Sequence, residues 1–542
     1  MRRITAALVL VVCAAATAAC TNGSAPMPAP SASDAPSSPT PASTPRTSGV
    51  VLTTTVGTHD IEYRVGPLVN LGELSILPIH ALSLTPPGDD PVKIGLAWAD
   101  PWSIGASGVR LLDGDARTVE EAAQATPAGT SKPVQLHTSD FPLAVDDTEP
   151  LALYTVFGAS DTATVDVIIP VGGLAADVPV IDIDELRVEE GGADYADTLV
   201  AALADIVGTH SDVNPQRSVL DSFTVSIDEA TDTRATPDEV VVTVDTSVLF
   251  AADEATITHA ADKILLSAST QFSSYPSGTL RVVGHTSTGG DESPAYNNDL
   301  STRRAQAVHD RLKALIDLSG YDTAVDGRGL TEPRVEGASE AARAQNRRVE
   351  LIFVPDAGAK AGAVEAPVFE LAKSAGPTAS GTDGVTVTNR DDAQVHVTLE
   401  SVERRGTVLV GQVRIDHVAG KISGVGYWLV ADIAHNVRGG LQFDLANAPS
   451  NLTLVAGDQR IYPLDYERGS VDEGGNTRYP MTDLFLSPEL PDGGSFTTTV
   501  VWPDVFSGAA DTTVTLDVHN PRAEHFHGFQ PPFRLTDIPV IQ

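Results

Sequence analysis

Cysteine is nearly missing from this chain: among 542 residues only Cys13 and Cys20 carry a thiol. A scaffold held together by intramolecular disulfides is excluded, because no cysteine lies beyond the first twenty residues. Aromatic residues are few, at 5%, which leaves little material for stacking on bases or sugars. Positive charge is also short: 35 Lys and Arg stand against 72 Asp and Glu, for a formal net charge of −37. A surface of that sign repels polyanions, so nucleic acid and anionic lipid headgroups are poor partners. No continuous run of 18 or more apolar residues occurs after the amino terminus, so no transmembrane helix is expected. There is no Gly-x-Ser-x-Gly elbow, no His-Glu-x-x-His pair and no phosphate loop. His525 and His527 alternate with Phe526 and read as a surface strand rather than a metal site. Neither catalysis nor a cofactor or metal is expected.

The amino terminus has a recognisable build. Arg2 and Arg3 precede the apolar run from Ala6 to Ala16, and the small residues Thr17-Ala18-Ala19 lead to Cys20. Charge, a short apolar segment and small residues make a secretory leader over 1–19 that is too short to span a bilayer. Small residues ahead of a cysteine resemble a lipobox, which implies acylation of Cys20, including palmitate, and membrane anchoring in the cell envelope. Thr17 stands where that pattern usually has a bulky aliphatic residue, and plain cleavage after Ala19 is the alternative. Which membrane would hold the lipid is not readable. Residues 20–48 are a Pro/Ser/Ala/Thr tract that cannot bury a core and should be disordered. At ~3.1 Å per residue such a tether reaches up to ~90 Å.

Beyond the tether the length suits several domains. Residues 49–185 and 385–542 alternate apolar and polar over short runs, as in Thr164 to Ile169 and Val408 to Ile415, and read as two β-sandwiches of immunoglobulin type. Their ends look related. Val165-Asp166-Val167 and Asp177-Val178-Pro179-Val180-Ile181 find counterparts in Leu516-Asp517-Val518 and Asp537-Ile538-Pro539-Val540-Ile541. Residues 186–237 read as a helix over Tyr195 to Val207 followed by linker, and 357–384 as a second linker.

Residues 238–356 carry the strongest pattern. Val240 to Val244 and Leu280 to Val283 read as buried strands, residues 256–272 and 298–316 as helices, and Arg347 to Phe353 as a closing strand. The order is βαβαββ, a two-layer α/β sandwich. Along it run Gly284-His285-Thr286, Tyr296-Asn297, Leu300-Ser301 ahead of Arg304-Ala305, Gly327-Arg328-Gly329, and Asn346-Arg347-Arg348-Val349-Glu350. In that order these pieces resemble the OmpA-like domain, the module by which many envelope proteins grip peptidoglycan. The resemblance spans Val240 to Val354.

It implies a particular chemistry. A stem peptide containing diaminopimelate ends in an ammonium beside a carboxylate, and a guanidinium fits the carboxylate because its fork is planar and bidentate. In the family, the Arg of the Leu-Ser-x-x-Arg-Ala segment and an Asp directly after His-Thr do this work. Arg304 stands in the Arg position, near the expected start of a helix, where the dipole disfavours a cation unless an anion meets it; an ion pair with Asp299 is the bland alternative. Ser287 stands where the family has Asp. The loop from Ser287 to Asn297 is two residues longer than the pattern, so either Asp291 has replaced the carboxylate or ammonium recognition is lost. Thr286 and Asn297 complete the expected peptidoglycan-binding set, Asn297 also as a helix cap. Phe250 reads as core, Arg347 and Arg348 as structural pairs in the sheet, and Gly327 and Gly329 as turn positions. The whole reads as a lipid-anchored envelope protein binding peptidoglycan non-covalently, with protein partners on the sandwiches. The alternative is an envelope scaffold whose OmpA-like module binds the wall weakly or not at all.

Overall fold

The computed structural model describes residues 49–542 apart from 87–91, 95–105, 128, 131–132, 139–142, 146, 190, 209, 289–292, 360–372, 390–391, 424–428, 430–437, 439–447, 469–477, 484–488, 507–511 and 520–530. The expected leader, Cys20, the tether, Asp291, His525, His527 and part of the second linker therefore lie outside the described residues. Among the described residues no helix is long and apolar enough to cross a membrane.

The middle of the chain is built from β1 (Ser211–Ser226), β2 (Thr231–Ala235), β3 (Val240–Asp245), α1 (Thr246–Leu249), α2 (Ala261–Thr270), β4 (Gly278–His285), α3 (Pro294–Leu315), β5 (Tyr321–Gly329), α4 (Glu340–Asn346) and β6 (Arg348–Pro355). β6 lies between β3 and β4, antiparallel to both, and β5 runs parallel to β4 at the edge. A parallel pair needs a crossover, and α3 supplies it. The apolar periodicity explains the layers. Val242, Val244, Leu280, Val282, Leu351 and Phe353 of the sheet pack against Leu265, Ala268, Val308 and Leu312 of the helices, each no more than 1% exposed. Each such side chain contributes roughly 1.5–3 kcal/mol by leaving water. Strand and helix therefore alternate over 240–355 in the expected order.

Helix starts differ from expectation. α3 begins at Pro294, four residues early, because Ser293 Oγ accepts a hydrogen bond from the Tyr296 amide (3.3 Å) and Pro294 occupies the first turn. Asn297 is thus not the cap. α2 begins late, at Ala261, since Ile257 is held in a β-bridge to Phe250.

The segment read as helix plus linker is mostly ordered structure of another kind. A helix spans Gly192–Val207, and Ala196 and Leu199 pack against Val69, Ile76 and Ile181 of the preceding lobe. The hairpin β1–β2 follows and extends the central sheet through β2, which pairs with β3. β1 is unusual in its reach. Its first part pairs with Thr118–Thr126, residues Leu220 and Asp221 pair with Tyr466 and Asp465, and Thr224 to Ser226 pair with Gln459–Ile461. The expected linker is a strand shared by three parts of the molecule.

Both flanks are strand-rich, with separate buried clusters centred on Tyr63, Leu77 and Phe157 in one and on Val413, Leu516 and Trp502 in the other. The second flank begins before residue 385, because Thr378–Ser380 already pairs with Phe533–Ile541. The suspected repeat has a structural counterpart. Thr164–Ile169 pairs antiparallel with Gly173–Asp182, Thr164 opposite Pro179, with a bulge after Val165. Thr513–Val518 pairs with Phe533–Ile541, Thr513 opposite Pro539, with a bulge after Val514. Asp177 and Asp537 both take left-handed backbone, φ 54° and 55°. Val180 and Val540 then both enter parallel pairs, with Leu68 and Val402. The register aligns Thr164-Val165 with Thr513-Val514, two residues from the Val-Asp-Val match that the sequence suggests.

Candidate functional site

Glycines set the geometry. A Cβ on Gly327 would lie 2.5 Å from the backbone nitrogen of Thr302, and one on Gly284 would fall on the Ser301 carbonyl. The strand ends can therefore touch the first half of α3 only without side chains, so Gly327 is a close-approach position inside β5, not a turn. The seat is fastened by Ser301, 0% exposed, whose Oγ accepts from the Gly329 amide at 3.0 Å. β4 and β5 slip register between Gly284 and His285, and the Thr286 amide donates to the Gly329 carbonyl at 2.9 Å.

Arg304 is buried, at 6% exposure. Its Nε donates to the Glu254 carbonyl (2.9 Å), and its guanidinium carbon lies 5.4 Å from the centre of the Phe250 ring. A cation over an aromatic face is favoured by the ring quadrupole. Phe250 is thus both core and platform. Among the described residues no carboxylate forms an ion pair with Arg304. The Asp299 alternative is overturned, since Asp299 pairs with Arg303 at 2.8 Å. The dipole argument also lapses: Arg304 lies well inside α3, whereas the effect fades within the first turn. Burial lowers the guanidinium's affinity for its proton, while Asp253 raises it in part; an arginine stays charged regardless.

Around it stand the other expected residues. Asn297 is 6% exposed and donates through Nδ2 to the Ser293 carbonyl (3.3 Å). Thr286 is 6% exposed, and its Oγ1 has no hydrogen-bond partner among the described residues. Ser287 Oγ accepts from Arg347 Nη1 at 3.4 Å, and Arg347 Nη2 pairs with Glu340 at 2.8 Å. Arg347 is near enough for its charge to act on Arg304, so the two guanidiniums are neighbours. Asp291 is outside the described residues.

His285, 1% exposed, sits 3.5 Å from Glu350, which is also bound by Arg348 Nε at 2.7 Å. Burial alone would raise the Glu350 carboxyl, but His285 and Arg348 pull it down to about 2. That trio ties β4 to β6. Sequence reasoning missed Glu254, Phe250 as a platform and the Arg347–Ser287 contact; no periodicity or motif signals contacts across such separations.

Comparison with known proteins covers the same part of the chain. Residues 249–347 match the OmpA family. A stretch of 76 residues is 42% identical to outer membrane porin F of Pseudomonas aeruginosa, covering 14% of this chain and 21% of that protein. A stretch of 108 residues is 36% identical to the peptidoglycan-associated lipoprotein of Legionella pneumophila, covering 19% of this chain and 58% of the relative. The chain thus spans about a fifth of the porin and just over half of the lipoprotein. Among solved structures it is similar to the cell wall anchor of the T6SS from Pseudomonas aeruginosa, at 30% identity and TM-score 0.21, covering 24% of this chain and 90% of that one. Residues 249–347 are an OmpA-family domain, and it sits in a longer chain whose flanks that match does not cover.

Proposed function

We propose that this chain is a cell-envelope protein that binds peptidoglycan non-covalently through its OmpA-family domain. One observation carries the reading: Arg304 is a buried cation, fixed by Glu254 and Phe250, that pairs with no carboxylate among the described residues. A buried charge needs a counterpart, and a stem-peptide carboxylate supplies one in bidentate geometry. Thr286, Ser287 and Asn297 line the approach, and Asp291 remains the sequence's candidate for a ligand ammonium. Acylation of Cys20 would hold the protein on a membrane through the 20–48 tether. We also read the flanks as two copies of one immunoglobulin-like unit, supported by their shared hairpin register.

The test is co-sedimentation of the protein with purified diaminopimelate-type sacculi. Wild type should pellet, and Arg304→Ala should stay in the supernatant while keeping the far-ultraviolet circular dichroism and melting profile of the parent. Asp291→Ala, run beside it, reports whether that carboxylate contributes. A wild type that never pellets would favour the scaffold reading, to which the Arg347–Ser287 contact at the family's aspartate position lends support.

A further inference from the structure

The charges beside Ser287 bear on which stem peptide the site takes, given the peptidoglycan reading on which this inference rests. Arg347 donates to Ser287 Oγ, and Arg304 stands close by with no acidic partner among the described residues. Thr286 Oγ1, in a residue 6% exposed, has no hydrogen-bond partner there. Two guanidiniums and two hydroxyls therefore line one place. All four groups can donate to oxygen, and none bears a negative charge.

An ammonium placed beside Ser287 would meet the positive charge of Arg347. Like charges about 4 Å apart repel by enough to cost roughly fivefold to tenfold in affinity even at the dielectric constant of water, and more when half-buried. An amide or carboxylate oxygen in the same position would instead gain hydrogen bonds from Arg347, Ser287 and Thr286. Thr286 makes the point independently of charge, because a buried hydroxyl without a partner is costly until a ligand atom reaches it.

We infer that the site selects stem-peptide ends whose amine is already acylated, as in a cross-linked stem, over the free zwitterionic end. The ligand carboxylate sits on Arg304 and the amide oxygen is received by Arg347, Ser287 and Thr286. Such a domain would hold mature, cross-linked wall in preference to newly made strands.

The test compares two fluorescent probes on the full chain: a stem tripeptide ending in diaminopimelate with its side-chain amine free, and the same peptide acetylated on that amine. The acetylated probe should bind about tenfold more tightly. Ser287→Asp, which restores a carboxylate, should reverse the order. Equal or tighter binding of the free amine by wild type overturns the inference, and loss of that binding in Asp291→Ala would name Asp291 as the reason. If neither probe binds, the peptidoglycan reading itself falls, which separates the two failures.

Discussion

Replacing Asp483 by asparagine removes a buried carboxyl from the seam between the two flanks. Asp483 is 1% exposed, and one of its oxygens accepts from the Thr499 amide at 3.0 Å. Tyr63 and Arg110 of the first flank reach it across the seam; Arg110 also donates to the Thr482 carbonyl at 2.9 Å. Burial pushes the Asp483 carboxyl up to about 6, against the pull of Thr499 and Arg110. An aspartate in the unfolded chain titrates near ~3.9, so the folded protein holds this proton more tightly. Below about pH 4 both states are protonated and the cost of burying the charge is absent. That cost grows from about pH 4 to pH 6 and is complete above, where a shift of about 2 units corresponds to about 3 kcal/mol. Asparagine keeps an acceptor for Thr499 and has nothing to ionise. The stability of Asp483→Asn relative to wild type should therefore rise by about 3 kcal/mol between pH 4 and pH 7. Urea titrations at several pH values, read by fluorescence of the buried Trp502 on the same strand as Thr499, give the difference directly. A difference that stays flat across this range refutes the assignment, whatever its absolute size.

Thr224 pairs with Thr233 on one side and Ile461 on the other, so Thr224→Pro should cost ~3 kcal/mol or more; calorimetry should show the OmpA-family domain melting separately, and an unchanged trace would count against a shared strand. Glu121, 2% exposed, accepts from Tyr466 (3.1 Å) and Arg468 (2.7 Å) across the seam. Glu121→Gln leaves the Arg468 charge without its carboxylate and should destabilise by roughly 3–5 kcal/mol in urea. Gly327→Ala must lift α3 from the strand ends, at roughly 1–3 kcal/mol; it should also weaken retention on sacculi, and normal retention would mean that the seat does not hold Arg304.

The central layers were legible because their residues repeat at 2 or 3.6 and bury as that repeat demands: Val242, Val244, Val308 and Leu312 are all fully buried. The hairpin β1–β2 was not. Its Asp, Ser, Thr, Asn and Pro look like linker, yet Ser222 donates to the Ala235 carbonyl (3.2 Å) and Ser226 to Asp228 (2.7 Å), so polar side chains are satisfied inside a sheet. Strand preference depends on neighbours that composition does not name. Arg304 stood out through its motif, whereas its support did not: Glu254 and Phe250 come from the far side of α2, and the Arg347–Ser287 contact joins residues 60 apart. The repeat was visible only roughly, since bulges let the two hairpins share a register while their sequences slide by two residues.

The shared strand changes what the chain can do with a bound ligand. Domains joined by linkers would leave the Arg304 site free to turn independently of its neighbours. Here α3 rests on glycines of β4 and β5, those strands join β6, β3 and β2 in one sheet, and β1 carries that sheet into both flanks. Helix α2 adds a lateral tie, with Ser267 Oγ donating to Asp458 at 2.8 Å. A pull on the site is therefore shared among several backbone hydrogen bonds of about 1 kcal/mol each, rather than focused on one loop. Orientation belongs to this seam. On the proposed reading, reach belongs to residues 20–48, and the two functions lie in separate stretches of chain: shortening the tether should change how far from a membrane the wall can be held, while Thr224→Pro should change how firmly the site is aimed.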